Sequence, residues 1–471
     1  MASSATQEIL DLIAHHLAQL DKKLSPYALV NKSWQAAFEP HFYSTIVVHS
    51  PSEVKFIRMG ITWRTHDELE YERGLSLETF INITSEPQDW QRARRRYVRQ
   101  IIYRVVVPYW LDENREKDDG YTYDNICRRE NNQAFSEGVC RLFEHLSTWT
   151  NQAISLKMAL QAEDVSTDED EGEPKSIART NMINPAGEEI APYCAEFVPG
   201  FDLPRVSCIT SLEFLKLITP NTIWYEPYAL DLTAWENNIS LPARLTIASA
   251  CSALKNIRLD REDNIPLTEP NMRDTRQTAV AEGFSRLPQT IKDMTLCWSF
   301  SKYGINSFRQ PKEDALQLFS MQLQHLCIED LAVYQELLCP NGPNSSIQAY
   351  WPRLETLHLK NQICRHGPFG GLKHDAKAPL IERYLNNFYT SLGNAAQKMP
   401  CLKSVVLTFT TLDHELELST KDNCWNLRLF VKDSYQPSSE VLEAWKVPGG
   451  SLQPCINKHW QEATYSSWPP P

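Results

Sequence analysis

Trp351-Pro352-Arg353-Leu354-Glu355-Thr356-Leu357-His358-Leu359 is the stretch on which the fold turns. Its apolar residues fall at Leu354, Leu357 and Leu359, and the last pair alternates as a half-buried strand does. Pro352 cannot continue a helix and biases the residue before it toward extended backbone, so it closes one element and aims the chain into the next. The same apolar-x-x-apolar-x-apolar frame recurs at Leu212-Leu215-Leu217, Leu254-Ile257-Leu259, Ile291-Met294-Leu296, Leu323-Leu326-Ile328 and Leu402-Val405-Leu407. With 42% hydrophobic residues the frame alone is common by chance. The prolines add weight: Leu287-Pro288 and Met399-Pro400 stand ahead of their frames as Trp351-Pro352 does.

Helical periods fall between these frames. Phe135, Val139, Leu142 and Leu146 step by helical turns within 132–149, and Ile381, Tyr384, Leu385, Phe388 and Leu392 do so within 379–398. Strands alternating with helices predict an α/β fold, here an irregular leucine-rich-repeat-like solenoid. Successive frames begin 42, 37, 32, 31 and 48 residues apart. Standard repeats of that kind run roughly 20–29 residues, so longer helices and inserted loops are expected. An ordinary α/β domain with a parallel sheet is the plainer alternative. Tyr97–Val107 and Ile154-Leu156-Met158 are earlier strand candidates, and Leu427-Leu429-Val431 is the last. The repeat body is placed at 45–435, with a disordered acidic loop at 161–190 and a Pro- and Ser-rich tail lacking period at 436–471.

The first 44 residues read differently. Ile9, Leu10, Ile13, Leu17 and Leu20 mark one helix, with Ser4 and Gln7 spaced as a capping box. A second short helix is expected over 22–29 and a third over 31–38, ended by Pro40, before a strand over 42–48. About forty residues hold too little core to stand alone. Such a unit is either a docking module or a helical cap on the body behind it.

Gln7-Glu8-Ile9-Leu10, Ile13 and Leu17, followed by Leu29-Val30-Asn31-Lys32-Ser33-Trp34, resemble an F-box. That family's order is Leu-Pro-x-Glu-(Ile/Leu)-Leu, an apolar helix, then Leu-Val-x-(Lys/Arg)-x-Trp. The exit Pro40-His41-Phe42-Tyr43-Ser44-Thr45-Ile46 is similar to that of fungal F-box proteins, and Arg94–Met158 resembles a later region of many of them. The resemblance implies a three-helix F-box that docks on a Skp-type adaptor of a cullin ubiquitin ligase, with the rest of the chain binding a protein target. Carried over by position, Glu8, Ile9, Leu10, Leu29, Val30 and Trp34 would build or support the docking face. Trp34 and Ile13 could equally be internal core. Ala5-Thr6 stands where the family has Leu-Pro, which implies weaker docking or its loss.

Composition narrows the alternatives. The 471 residues carry 47 Lys+Arg against 59 Asp+Glu, a formal net charge of -12, where a nucleic-acid surface would be basic. Seven acidic residues lie between Glu163 and Glu173. The 16 glycines are about half the usual share of roughly 7%, which disfavours folds that cradle nucleotides on glycine-rich turns. No uninterrupted apolar run reaches membrane-spanning length, and the start lacks the regions of a secretory signal. The 12 cysteines include no Cys-x-x-Cys, so reduced thiols in cytoplasm or nucleus are expected. Arg92, Arg94, Arg95, Arg96 and Arg99 crowd together as either a solvated face or a nuclear-import patch.

Motifs of chemistry fail one by one. There is no P-loop and no Gly-x-Ser-x-Gly elbow, and His414-Glu415 has Leu418 where a zinc protease needs its second histidine. Cys364, His366 and His374 lack an evident fourth ligand for a tetrahedral zinc site. The expectation is a non-catalytic receptor with no cofactor, no metal, no nucleic acid and no membrane partner. A ligase-independent scaffold, or an enzyme whose site is drawn from distant positions, is the alternative. Trp224, Trp235, Trp298 and Trp351 are candidate target-binding anchors, half or more of them expected in the core.

Overall fold

The computed structural model describes residues 2–20, 24–50, 74–85, 88–108, 126–162, 193–215, 238–261, 270–298, 316, 318–329, 351–361, 374–409, 414–421, 424–431, 435–454 and 460–469. The chain divides into two units, Met1–Leu254 with Asn264–Thr268, and Lys255–Asp263 with Glu269–Pro471. The first 44 residues therefore share a unit with the strands that follow them, and 436–471 share one with the strands that precede them. Both units mix strands and helices, the α/β class expected.

The first unit opens on three helices, α1 (Ala2–Gln19), α2 (Ser25–Ala28) and α3 (Lys32–Phe42). The Asn31 side chain accepts from the N–H groups of Ser33 and Trp34 at 2.9 and 3.1 Å, satisfying donors that the start of α3 leaves open. Two expectations are corrected here. Helix α1 begins at Ala2, ahead of the Ser4–Gln7 box, because nothing in 2–6 breaks a helix and alanine favours one. Helix α3 runs through Pro40 to Phe42, because a missing N–H in the last turns costs one bond while Tyr43 N–H still reaches the Glu39 carbonyl at 3.0 Å.

The chain then enters β1 (Thr45–His49). There follow β2 (Leu75–Ser76), α4 (Leu77–Thr84), α5 (Asp89–Tyr97), β3 (Gln100–Val107), α6 (Ile126–Ser147), β4 (Ile154–Ala162), β5 (Cys194–Ala195), β6 (Ile209–Phe214), β7 (Asn238–Ile239) and α7 (Leu241–Ala250). Strands β2, β1, β3, β4 and β6 lie side by side in that order, all parallel. Helix α6 buries Phe135, Val139, Leu142 and Leu146, the stripe its sequence marked. Its Gly138 lets the helix approach closely: Tyr103 of β3 donates to the Gly138 carbonyl at 2.6 Å, and a Cβ there would meet Ser50 at 3.0 Å. The frame read at Leu212-Leu215-Leu217 shifts by three residues. Strand β6 buries Ile209, Leu212 and Phe214, which pair with the buried Ile154, Leu156 and Met158 of β4.

The second unit contains β8 (Asn256–Arg261), α8 (Pro270–Arg286), β9 (Asp293–Trp298), β10 (His325–Glu329), β11 (Thr356–Asn361), α9 (His374–Ala396) and β12 (Ser404–Phe409). Strands β8 to β12 are parallel neighbours in chain order. Their register stacks Ile257, Met294, Leu326, Leu357 and Val405 in one cross-strand row, and Leu259, Leu296, Ile328, Leu359 and Leu407 in a second. Every member of both rows is buried. Each strand start is tied to its neighbour by two N–H groups on one carbonyl, as Glu355 and Thr356 are on Gln324 at 2.7 and 3.1 Å. Helix α9 packs on the end of β12, with Phe388 and Tyr389 set edge-on to Phe409.

Beyond β12 the pairing turns antiparallel through β13 (His414–Lys421), β14 (Cys424–Val431) and, after α10 (Ser439–Ala444) and β15 (Gln453–Pro454), β16 (Trp460–Tyr465). The segment 436–471, expected as a tail lacking period, thus holds a helix and a paired strand. Aromatic anchors rather than periodicity hold it: Tyr465 donates to the Trp445 carbonyl at 2.9 Å, and the Trp445 indole N–H to the Tyr389 carbonyl at 3.0 Å. The acidic run from Glu163 to Glu173 lies outside the described residues. Among the described residues no helix is long and apolar enough to cross a membrane.

Candidate docking surface on the N-terminal helices

Helix α1 carries two apolar faces. Leu10, Ala14 and Leu17 turn inward, where Leu10 and Ala14 form a small core with Ala37 and Phe38 of α3. Ile9, Leu12 and Ile13 lie on another side of the same helix, and Leu20 continues their line just past its end. These four are exposed, Ile9 at 58% and Leu12 at 69%. Leu29 and Val30, in the turn between α2 and α3, are exposed at 85% and 59%. Among the described residues nine large apolar side chains are exposed, and six of them fall within the first thirty positions. An isolated exposed leucine needs no explanation, but a concentration of this kind marks a surface meant to be covered.

The residues named from sequence therefore separate. Glu8, Ile9, Leu29 and Val30 are exposed and available to a partner. Leu10 is corrected to core, with 8% of its surface exposed. Trp34 is half-buried in a stack with Tyr27 and Phe38, ring centres 6.1 and 5.6 Å away. That stack is the unit's own packing, so Trp34 supports the surface from inside. Ile13, weighed as possible core, faces out. Leu12 and Leu20 were missed as surface residues. Leu12 breaks the three- and four-residue steps that point inward, which is itself the signal of a second apolar face.

Among the described residues, the tryptophans read as target-binding anchors supply no comparable surface. Trp351 is fully buried, at a φ of 41°, with its indole N–H donated to the Ser320 hydroxyl at 2.6 Å. It is core, not an anchor. Trp224 and Trp235 lie outside the described residues, as does the side chain of Trp298. Cys364 and His366 also lie outside them, and among the described residues no group of three His, Cys, Asp or Glu could hold a metal ion. The polar side of β8 to β11 does gather reactive groups. The Glu329 carboxylate accepts from the Cys297 thiol at 2.9 Å and from Arg258 at 3.2 Å, which holds it below the usual carboxylate range. Burial and that carboxylate push the nearby Cys327 thiol up to about 11, so it stays protonated and unreactive.

No family model matches the chain, and no curated protein matches it. Among solved structures, the leucine-rich repeat-containing protein LegL7 from Legionella pneumophila aligns over 70% of this chain and 88% of its own. It shares 10% sequence identity at a TM-score of 0.18, too low to carry an argument. The N-terminal surface rests on its own geometry.

Proposed function

We propose that the chain is the substrate-recognition subunit of a cullin ubiquitin ligase, docking on a Skp-type adaptor through α1 and the α2–α3 turn. The observation that carries this reading is the exposed apolar side of α1, Ile9, Leu12, Ile13 and Leu20, together with Leu29 and Val30. The F-box resemblance of Glu8-Ile9-Leu10 and Leu29-Val30-x-x-x-Trp34 gives that surface its partner. The body behind, read as an irregular leucine-rich-repeat-like solenoid, presents a protein target from its polar strand side and loops. On this reading the chain supplies no catalytic group, and acts in cytoplasm or nucleus by raising the target's effective concentration beside the ligase.

Full-length chain and purified Skp-type adaptor should co-elute in size-exclusion chromatography. Ile9→Asp combined with Leu12→Asp should weaken that association at least tenfold without unfolding the protein. Absence of binding by the unaltered chain would overturn the reading. The Ala5-Thr6 departure favours a ligase-independent scaffold as second reading, in which the same surface takes another protein.

A further inference from the structure

The arginine run Arg92–Arg99 belongs to α5 and its exit, and its inner members are not a free basic patch. Arg95 is buried, donating to the Thr148 carbonyl at 2.6 Å with its guanidinium 5.1 Å from the Trp149 ring centre. Arg92 pairs with Asp89 within the helix. Arg94 does something different: it reaches back 55 residues to the N-terminal helices. Its guanidinium lies 2.8 Å from the Glu39 carboxylate of α3, the two side chains 20% and 18% exposed. It also sits 5.1 Å from the Tyr43 ring centre and 4.6 Å from that of Trp90. Trp90 in turn donates its indole N–H to the Gln88 side chain, and Glu39 accepts from Gln35 at 2.9 Å. Just beyond α3, the Ser44 carbonyl accepts from both Arg99 and Gln100 at 2.9 Å. The exit of the helical segment is thus bound twice, by the last turn of α5 and by the residues just after it.

An exposed ion pair contributes little, but a guanidinium held between two aromatic rings and paired with a half-buried carboxylate has few ways to move. We propose that Arg94 is a positioning residue: its clasp on Glu39, Tyr43 and Trp90 fixes the direction in which the α1 surface faces relative to β1 and β3. The clasp stands on geometry alone. Its consequence, a docking surface presented at one set angle, rests on the proposed function.

Spin labels attached by non-cysteine chemistry at exposed positions 19 and 144 of the full chain would report that angle as a distance distribution. The unaltered protein should give one narrow distribution. Arg94→Glu or Glu39→Arg should broaden it at least twofold and speed amide exchange in 32–44 at least tenfold, with α6 unchanged. The double swap Glu39→Arg with Arg94→Glu returns the ion pair but not the contacts of the Arg94 cation with its two rings, and should restore both in part, a rescue that general damage to the fold would not give. Should Arg94→Glu fail to fold, Arg94→Gln carries the same expectation at smaller size. Unchanged distributions in the single variants, or no rescue in the swap, would overturn the clasp. Adaptor affinity should stay within twofold throughout, since neither residue is in the α1 surface. Absence of adaptor binding by the unaltered chain, with its distribution narrow and broadened in the single variants, would count against the docking reading and leave the clasp standing.

Discussion

In β8 to β12 ten apolar residues stack in two cross-strand rows and all ten are buried, whereas α1 exposes Ile9, Leu12 and Ile13 while burying Leu10 and Ala14. Both regions are written in the same residue types at regular spacing. The difference lies in how many partners each apolar side can find. A parallel strand between two others finds a neighbour on each side at every second residue. The three N-terminal helices have one small core among them, built on Leu10, Ala14, Ala37 and Phe38. Their second apolar side has nothing within the helical segment to pack on. Equal periodicity therefore means core in one region and a surface awaiting a partner in the other.

The largest expected effect lies in the strand region. Trp351→Ala removes a fully buried indole that also holds the Ser320 hydroxyl, and should cost about 3–5 kcal/mol. Urea unfolding of the full chain, followed by amide exchange in β10 and β11, measures it. If the variant stays as stable as the original and merely loses a binding partner, Trp351 is an interface side chain and the contrast between the regions fails. Phe38→Ala should come next, at the lower end of the same ~3–5 kcal/mol range, because a small core collapses more readily around a void. Its effect should stay local: exchange protection lost over 2–42, with β8 to β12 unchanged.

How much of this was legible depends on where partners come from. Leu354, Leu357 and Leu359 announced a strand because period two and a preceding proline are local properties. Frame choice in β6 was not local: Ile209, Leu212 and Phe214 fit as well as Leu212, Leu215 and Leu217, and pairing with β4 decides between them. Strand β13 alternates Glu415, Leu416, Glu417 and Leu418, a period of two that overlaps the failed His414-Glu415 metal motif. Strand β16 was hidden for another reason, since Tyr465 and Trp445 fix it through contacts with residues far away in sequence. On α1 the Glu8-Ile9-Leu10 triplet lies on a helix with two apolar sides. It could not tell that Leu10 turns inward and Leu12 outward, because that depends on where α3 lies.

Acidification probes the strands and helix behind α1 by chemistry instead of packing. In the first unit, burial and the neighbouring Arg95 cation push the His145 pKa down to about 4, and its Nε2 lies 2.8 Å from the Thr84 hydroxyl and 3.3 Å from the Trp149 indole nitrogen. Burial and Arg104 push His49 down to about 4 as well. The unfolded chain takes up these protons near pH 6.5, before the folded one does. Stability is therefore complete above about 6.5, falls as pH drops toward about 4, and levels off below. Each histidine should contribute roughly 1–3 kcal/mol to that loss. Thermal unfolding of the full chain between pH 7.5 and 4 should show it, and His145→Gln should remove its own share of the slope. A slope unchanged in that variant would mean that His145 titrates alike in the folded and unfolded chain.

The smallest stability effect should come from the surface that matters most to the proposed function. Leu12→Ser and Ile9→Ser replace exposed side chains, and each should change unfolding free energy by no more than about 0.5 kcal/mol. Their thermal and urea midpoints should overlay those of the unaltered chain, while adaptor binding falls. Trp34→Ala cannot make this test, since it removes a ring from the Tyr27–Phe38 stack and damages the helices themselves. The informative outcome is the pairing of the two numbers. A residue whose loss costs binding but not folding belongs to the partner's surface, and one whose loss costs both belongs to the core. If Leu12→Ser lowered stability as Phe38→Ala does, α1 would be packed on both sides within the chain, and the second apolar face would be the inner side of a cap.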